Sequence, residues 1–532
     1  MIKIVLFEPY SIIDRLSPIS ATRALFEIRI GIYSLRELIS KMAQTLLPDC
    51  TVTIEPLNPI RSEVAATGLM LSYDLIKLRL HSDLFSSTLL KSSYLDPHYN
   101  TQTNNIQTAK STLQPSKTIL YLNAALVPNV TFIEKLLKTL YLIDKTSLQR
   151  KISNTLWLEQ NTAIKFAAEP VLSAKSDSFA AAHALNAEKI IGWLTSEEVA
   201  HQTDLLEKIK HAITRKQPNP KTTYQFSATK LIGTELHEIL DSHEVLLASQ
   251  IAYKVKTATK IEEIAPNVFI HQAEPVTSFQ ITKNHTTDLK NNLAKCTFHA
   301  TAQKPILLEH STTISAYNVL TGPLYIGMYS RTAPNSILAN SSLGHHTRIG
   351  GEVTSSIFHD FSNKSHFGFI GHSIIGSWVN LGAGTTTSNL KNTYEHIVLQ
   401  RLTGGTVQTG RVFVGAFIGD HVKTAILTGI YGGRSIGVAA STVTTVTHNV
   451  PHFTFLTHST LHPNNYPHTT TTKIPPNNAK NYARNNAKKM LSLAKILATQ
   501  KAMGERRNLT PTTAAINLLK TLYNLQKSSH SR

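Results

Sequence analysis

At 532 residues the chain is too long for one ordinary core, which implies two or three domains. A hydrophobic share of 41%, with 18 Phe and 17 Tyr, suffices for sizeable cores and argues against global disorder. Only two cysteines, Cys50 and Cys296, occur, which excludes a disulfide framework and a Cys-rich zinc site, while the net charge of +19 admits nucleic acid, anionic lipid or phosphorylated small molecules as partners.

The opening run Ile2–Leu6 reads as a buried first strand, too short for the apolar region of a signal peptide. No window approaches 18 consecutive apolar residues, so no transmembrane helix is expected. With the sparse cysteines, this points to a cytoplasmic location. Residues 1–260 alternate β-rich runs (Ile2–Leu6, Thr118–Leu122) with amphipathic stretches (Ile32–Ala43, Thr131–Ile143, Ser196–Ile213). That alternation predicts an α/β, Rossmann-like domain on a largely parallel sheet. Within it, Tyr99–Lys117 is rich in Asn, Gln, Thr and Ser and reads as a loop.

Between 265 and 455 helical periodicity disappears and aliphatic–glycine pairs recur, among them Ile326-Gly327, Leu343-Gly344, Ile375-Gly376, Ile418-Gly419 and Ile436-Gly437. Ile418, Thr424, Ile430, Ile436 and Thr442 keep a period of six. Six residues per side and three sides per turn describe a left-handed parallel β-helix of hexapeptide repeats. One residue per side points inward, and the small residue after it turns the corner, where positive φ is often needed. A β-sandwich with glycine turns is the competing reading.

Residues 456–532 predict a linker and a basic helical tail. Residues 461–532 hold 12 Lys and Arg against the single acid Glu505. Helices are expected over Asn477–Lys501 and Thr510–Leu525. No nucleic-acid-binding signature accompanies the charge, so a solvated tail is favoured over nucleic-acid binding. His452, His458, His462 and His468 lack carboxylate or cysteine neighbours and predict no metal site.

Reactive side chains are densest over Gly350–Lys391. A neutral imidazole suits proton abstraction near pH 7, which makes His366 the candidate catalytic base. A single histidine in a β-rich segment is more often structural; the adjacent Asn-Lys-Ser and the later Asn-Leu-Gly-Ala-Gly-Thr favour catalysis. Arg348, Lys364 and Lys391 are candidate phosphate ligands, and Asn380 and Asn389 could read sugar hydroxyls.

The run from His372 to Asn389 resembles the family of bacterial glucosamine-1-phosphate N-acetyltransferase / N-acetylglucosamine-1-phosphate uridyltransferase enzymes, in its divergent branch of sugar nucleotidyltransferase type. Gly322–Gly327, Gly350–Val353, Phe361–His366, Ser388–Asn392, Gly419–Thr424, Thr22–Gly31, Leu35–Glu37 and Arg506-Arg507 carry the same resemblance. It spans nearly the whole chain but is poor over 45–115 and 150–260. It implies His366 as base, Asn380 and Asn389 in the sugar pocket, and acetyl-CoA along an edge near Ala383, Val414, Ala416 and Lys423. It also implies a homotrimer with sites between subunits. The chain departs from the pattern at Phe369 (Tyr in better-known members), at Leu390, and over Tyr431–Arg434.

The N-terminal part lacks the Gly-rich phosphate loop of sugar nucleotidyltransferases and offers Arg15, Arg23 and Arg29 as candidate nucleotide-phosphate ligands instead. Asn123 stands where a Mg²⁺-binding Asp is usual, with Ala125 where the divergent branch carries Arg. The leading expectation is therefore acetyl-CoA-dependent N-acetylation of an amino-sugar phosphate, followed by uridylyl transfer from UTP with Mg²⁺ if the first domain is active. The alternatives are a nucleotidyltransferase whose β-helix only trimerises, and a catalytically degenerate binding protein.

Overall fold

The computed structural model describes residues 2–8, 10–57, 118–145, 156–159, 164–166, 190–195, 222–224, 233–272, 291–457, 490–506 and 513–531. The loop 99–117, the helix expected over 196–213, His458, His462, His468 and Arg507 lie outside them.

In the N-terminal domain β1 (Ile2–Phe7) lies between β2 (Val52–Pro56) and β3 (Thr118–Asn123), both parallel to it. Its near-continuous aliphatic run suits a strand covered on both faces. The sheet continues through β6 (Ile190–Thr195) to β4 (Leu156–Glu159), and both of these pairings are antiparallel. The order β2-β1-β3-β6-β4 is thus mixed rather than largely parallel, and β5 (Ile164–Phe166) stays outside it. After the short α1 (Tyr10–Arg15), helix α2 (Leu35–Leu46) starts at a capping box in which the Ser34 hydroxyl accepts from the Glu37 amide (3.3 Å) and Glu37 accepts from the Ser34 amide (2.8 Å). Its buried face packs on α3 (Val130–Lys145).

Helix α4 (Leu236–Thr257) has no counterpart among the sequence expectations. It packs on α3 on one side and on β-helix strands on the other, so its apolar residues do not form one stripe. Gln250 is fully buried, accepts from the Ile32 amide (2.7 Å) and donates to the Ile30 and Pro128 carbonyls (3.0 and 2.9 Å).

The expected β-helix is present as a three-sided prism of parallel strands. On one face Phe417 pairs with Ser435, and on the next Lys423 pairs with Ser441; each step is 18 residues, three sides of six. Ile418, Thr424, Ile430, Ile436 and Thr442 all point inward and are buried. Burial of each such aliphatic side chain contributes about 1.5–3 kcal/mol. Two steps are longer: Val268 pairs with Ile306, 38 residues on, and Ile374 with Phe417, 43 residues on, where an excursion carries the antiparallel hairpin Val398–Gln400/Thr406–Gln408.

At the edge between the second and third faces Gly351, Gly368 and Gly384 take the expected positive φ, but at the corners after Ile326, Leu343, Ile375, Ile418 and Ile436 glycine does a different job. The positive φ sits two residues after it, at Tyr329, His346, Trp378, His421 and Ala439. The glycine itself is needed where coils touch: a Cβ on Gly376 would lie 2.4 Å from the Asp420 carboxylate in the next coil, and one on Gly437 2.4 Å from the His452 amide. The left-handed corner residues stack up the prism, Tyr329 on His346 (4.8 Å), His346 on Phe361 (4.8 Å) and Phe361 on Trp378 (4.4 Å), which offsets their backbone strain.

The three faces differ in what they show outward. The first exposes an apolar row, Leu307, Tyr325, Ile357, Ile374 and Phe417, that is buried in one core with the N-terminal domain. The second shows a polar row, Arg331, Arg348, Asn363, Asn380 and Lys423. The described basic side chains of the tail, Lys495, Lys501, Arg506, Lys520 and Lys527, are exposed as expected, while its apolar side docks on the prism. Ile496 of α5 (Leu493–Glu505) and Leu518, Leu519 and Leu522 of α6 (Thr513–Ser531) are buried against Ala439 and Phe453.

Candidate functional site

The edge between the second and third faces lies opposite the face that the N-terminal domain covers. Three successive coils form it: Ser365–Gly368, Gly382–Thr385 and Ala425–Thr428, tied by the Gly384 amide to the Phe367 carbonyl (3.0 Å) and the Leu427 amide to the Ala383 carbonyl (2.7 Å). His366 is exposed on this edge, one coil from Ala383. Phe367 (65%), Ile426 (69%) and Leu427 (69%) are exposed around it. Gly384, at φ +75°, lies under two of them, for a Cβ there would meet Leu427 at 2.6 Å and Phe367 at 3.2 Å.

Beside this edge runs the polar row of the second face. The Ser365 hydroxyl donates to Asn363 Oδ1, and Asn363 Nδ2 donates to Asn380 Oδ1 (2.6 Å). Asn380 is bridged to Lys423 of the next coil, whose ammonium donates to the His421 carbonyl (3.1 Å) and is pushed down to about 8 by burial. Arg348 is the register partner of Arg331. Partial burial lowers its pKa, and the like charges of Arg331 and Arg506 lower it further, which marks an end of the row suited to an anion. Asn363 and Arg331 were not singled out by sequence; only their outward hexad phase could have found them.

The other proposed ligands lie elsewhere. Lys364 faces the prism interior, 1% exposed, so the expectation that it holds a substrate phosphate is corrected; its ammonium donates to the carbonyls of Gly350 and His366. Asn389 is on the edge between the third and first faces, where its amide meets His372 Nδ1 at 2.9 Å and His372 stacks on Phe413. Lys391 follows it into the excursion and pairs with Glu395 (3.6 Å). Val414 (1% exposed) is packed into the seam with the N-terminal domain and Ala416 (0%) lies in the prism core, so neither side chain is offered to acetyl-CoA.

The expected nucleotide ligands are also corrected. Arg23 Nη2 grips both oxygens of Asp420 (2.5 and 2.6 Å) and reaches Ser377, while Nη1 donates to His359 Nδ1. The second nitrogen of that ring donates to the Arg29 carbonyl (3.2 Å), so the imidazole is neutral, in line with a pKa driven to about 3 by burial and by Arg23. Arg29 bridges Glu37 and Asp360 (3.0 Å each). Burial works against ionised Asp360, but Arg29 prevails and holds it at about 2. Arg15 lies 3.9 Å from Glu235. Two of the three arginines therefore clamp the N-terminal domain to the prism. Asn123 is fully buried and its Oδ1 accepts from the Ala125 amide (2.9 Å), a turn contact rather than a metal ligand. Of the clamp's other half, Asp420 lies in the Gly419–Thr424 motif but carried no hint of its partner, and Asp360 and His359 sit in an ordinary hexad corner.

No family model matches the chain. Curated relatives do. The bifunctional sugar-1-phosphate nucleotidylyltransferase/acetyltransferase of Sulfurisphaera tokodaii is 33% identical over 138 residues, which are 25% of this chain and 34% of the relative. The bifunctional protein GlmU of Methanococcus vannielii is 34% identical over 113 residues (21% and 26%). That of Methanococcus aeolicus is 32% identical over 164 residues (30% and 38%). The chain thus spans about a quarter to two fifths of the length of these relatives. In sequence the chain is thus similar, over 21–30% of its length, to parts of GlmU-like bifunctional sugar-1-phosphate nucleotidyltransferase/acetyltransferase proteins.

Proposed function

We propose that the chain is an acetyl-CoA-dependent N-acetyltransferase of an amino-sugar phosphate of the glucosamine-1-phosphate type, in nucleotide-sugar biosynthesis. The observation that carries this reading is the exposed His366 on a free prism edge, beside a row with amide groups at its centre and paired arginines at its end. His366 takes a proton from the sugar ammonium; the freed amine attacks the thioester carbonyl, the C–N bond forms, the nitrogen gives up its second proton to water, and the C–S bond breaks. The imidazolium then returns its proton to the departing thiolate. Arg348, with Arg331, holds the phosphate, and Asn380 orients the sugar. Ala383 and Lys423 flank the acetyl-CoA.

The exposed Phe367, Ile426 and Leu427 suit a second copy of the chain, and Asn389 and Lys391 stand on a different edge. A site that uses both edges takes them from two subunits of a homotrimer. The clamp of Arg23 and Arg29 speaks against uridylyl transfer by these arginines, and Asn123 against Mg²⁺ at its position. The test is thiol release from acetyl-CoA with glucosamine-1-phosphate. His366→Ala should lower the rate about 10²–10⁴-fold; an unchanged rate sinks the assignment.

A further inference from the structure

Lysine has no ordinary place inside a β-helix. The inward position of the second face is held by Thr332, Ile349, Lys364, Leu381 and Thr424 in successive coils, so Lys364 stands where its neighbours are apolar or small. Burial pushes its ammonium down to about 8. An aliphatic residue would fill the same space without that penalty. The side chain runs toward the His366 edge, where its Nζ donates to the Gly350 carbonyl and to the His366 carbonyl (3.0 Å). Room for it is made in the preceding coil: a Cβ on Gly351 would lie 2.9 Å from Nζ.

We infer that Lys364 is a positioning residue that fastens the backbone of the corner Ser365–Gly368 from within the prism, so that His366 is presented outward in one fixed pose. This rests on the reading of His366 as the base. A base displaced by an ångström loses about two orders of magnitude in rate, so one internal tether on its own carbonyl has a large effect.

The experiment compares the full-length chain with Lys364→Met, His366→Ala and the double variant, using thiol release with acetyl-CoA and glucosamine-1-phosphate, and amide hydrogen exchange over 365–368. Methionine matches the length of the lysine stem and suits the interior, so the variant should melt no lower than the parent. Its kcat should fall about 10- to 100-fold with the KM for acetyl-CoA unchanged. It should cost nothing further in the His366→Ala background, and exchange over 365–368 should quicken. An equal loss in both backgrounds, or no loss in either, overturns the inference, and so does unaltered exchange whatever the activity. If no form releases thiol yet exchange quickens in Lys364→Met, the acetyltransferase reading fails while the tether stands.

Discussion

Arg23→Met should loosen the whole molecule, because it strips a buried carboxylate of its counter-charge. Asp420 is 3% exposed and Arg23 16%, so solvent screens the pair little. Breaking such a pair by removing one partner costs about 3–5 kcal/mol, against about 0–1 kcal/mol for a surface pair. Asp420 keeps the Thr22 hydroxyl (2.7 Å) and the Ser377 amide (2.7 Å), which places the expected loss near the lower end, about 3 kcal/mol. Urea unfolding measures it. Trp157 and Trp193 report on the N-terminal sheet and Trp378 on the prism, so fluorescence follows both halves. Asp420→Asn should lose less, and the double variant should show coupling of about 0.5–3 kcal/mol. A loss below about 1 kcal/mol would refute the clamp. So would UTP binding that needs Arg23 but ignores Asp420, since the arginine would then be serving a nucleotide.

Acid should destabilise the chain well above the pH at which its carboxylates protonate. Burial holds His243, His359 and His452 near 3 and His421 near 4, so in the folded state they stay neutral while the unfolded chain takes up protons below about 6.5. Stability is therefore full above 6.5 and falls as pH drops toward 4, with each imidazole adding up to about 1.4 kcal/mol per pH unit; urea midpoints that stay level from pH 7 to 5 would contradict this. Leu427→Asp, on the exposed edge where the proposed trimer would pack, should shift the sedimentation of the chain toward monomer with little change in melting temperature. A trimer that survives the substitution places the subunit contact elsewhere.

The prism was legible because its rule is local. A residue such as Ile430 or Ile436 faces inward by its place in a six-residue count, with no knowledge of any distant partner. The exposed edge at His366 followed from the same count. What escaped was whatever depends on contacts between remote segments. The phase of Lys364 marks it as inward, yet its charge suggested a surface ligand, and only the carbonyls of Gly350 and His366 explain why it stays inside. Arg23 and Arg29 looked like phosphate ligands because guanidinium groups near a first strand serve that purpose elsewhere; their partners lie more than 300 positions away. Helix α4 hid because it is wanted on two sides.

The apolar outer row of the first face has a further consequence. A free-standing prism could be cut from a larger chain and keep its solubility, but here Leu307, Tyr325, Ile357, Ile374 and Phe417 form a seam that shares one core with residues outside the prism such as Leu246, Leu247 and Ile251. The two halves share one interior and have lost the independence that modular enzymes trade on. Neither can be swapped, permuted or expressed alone without leaving a sticky stripe in water. Any divergence in the first domain must therefore preserve the wall it shares with the second, even if its own chemistry lapses.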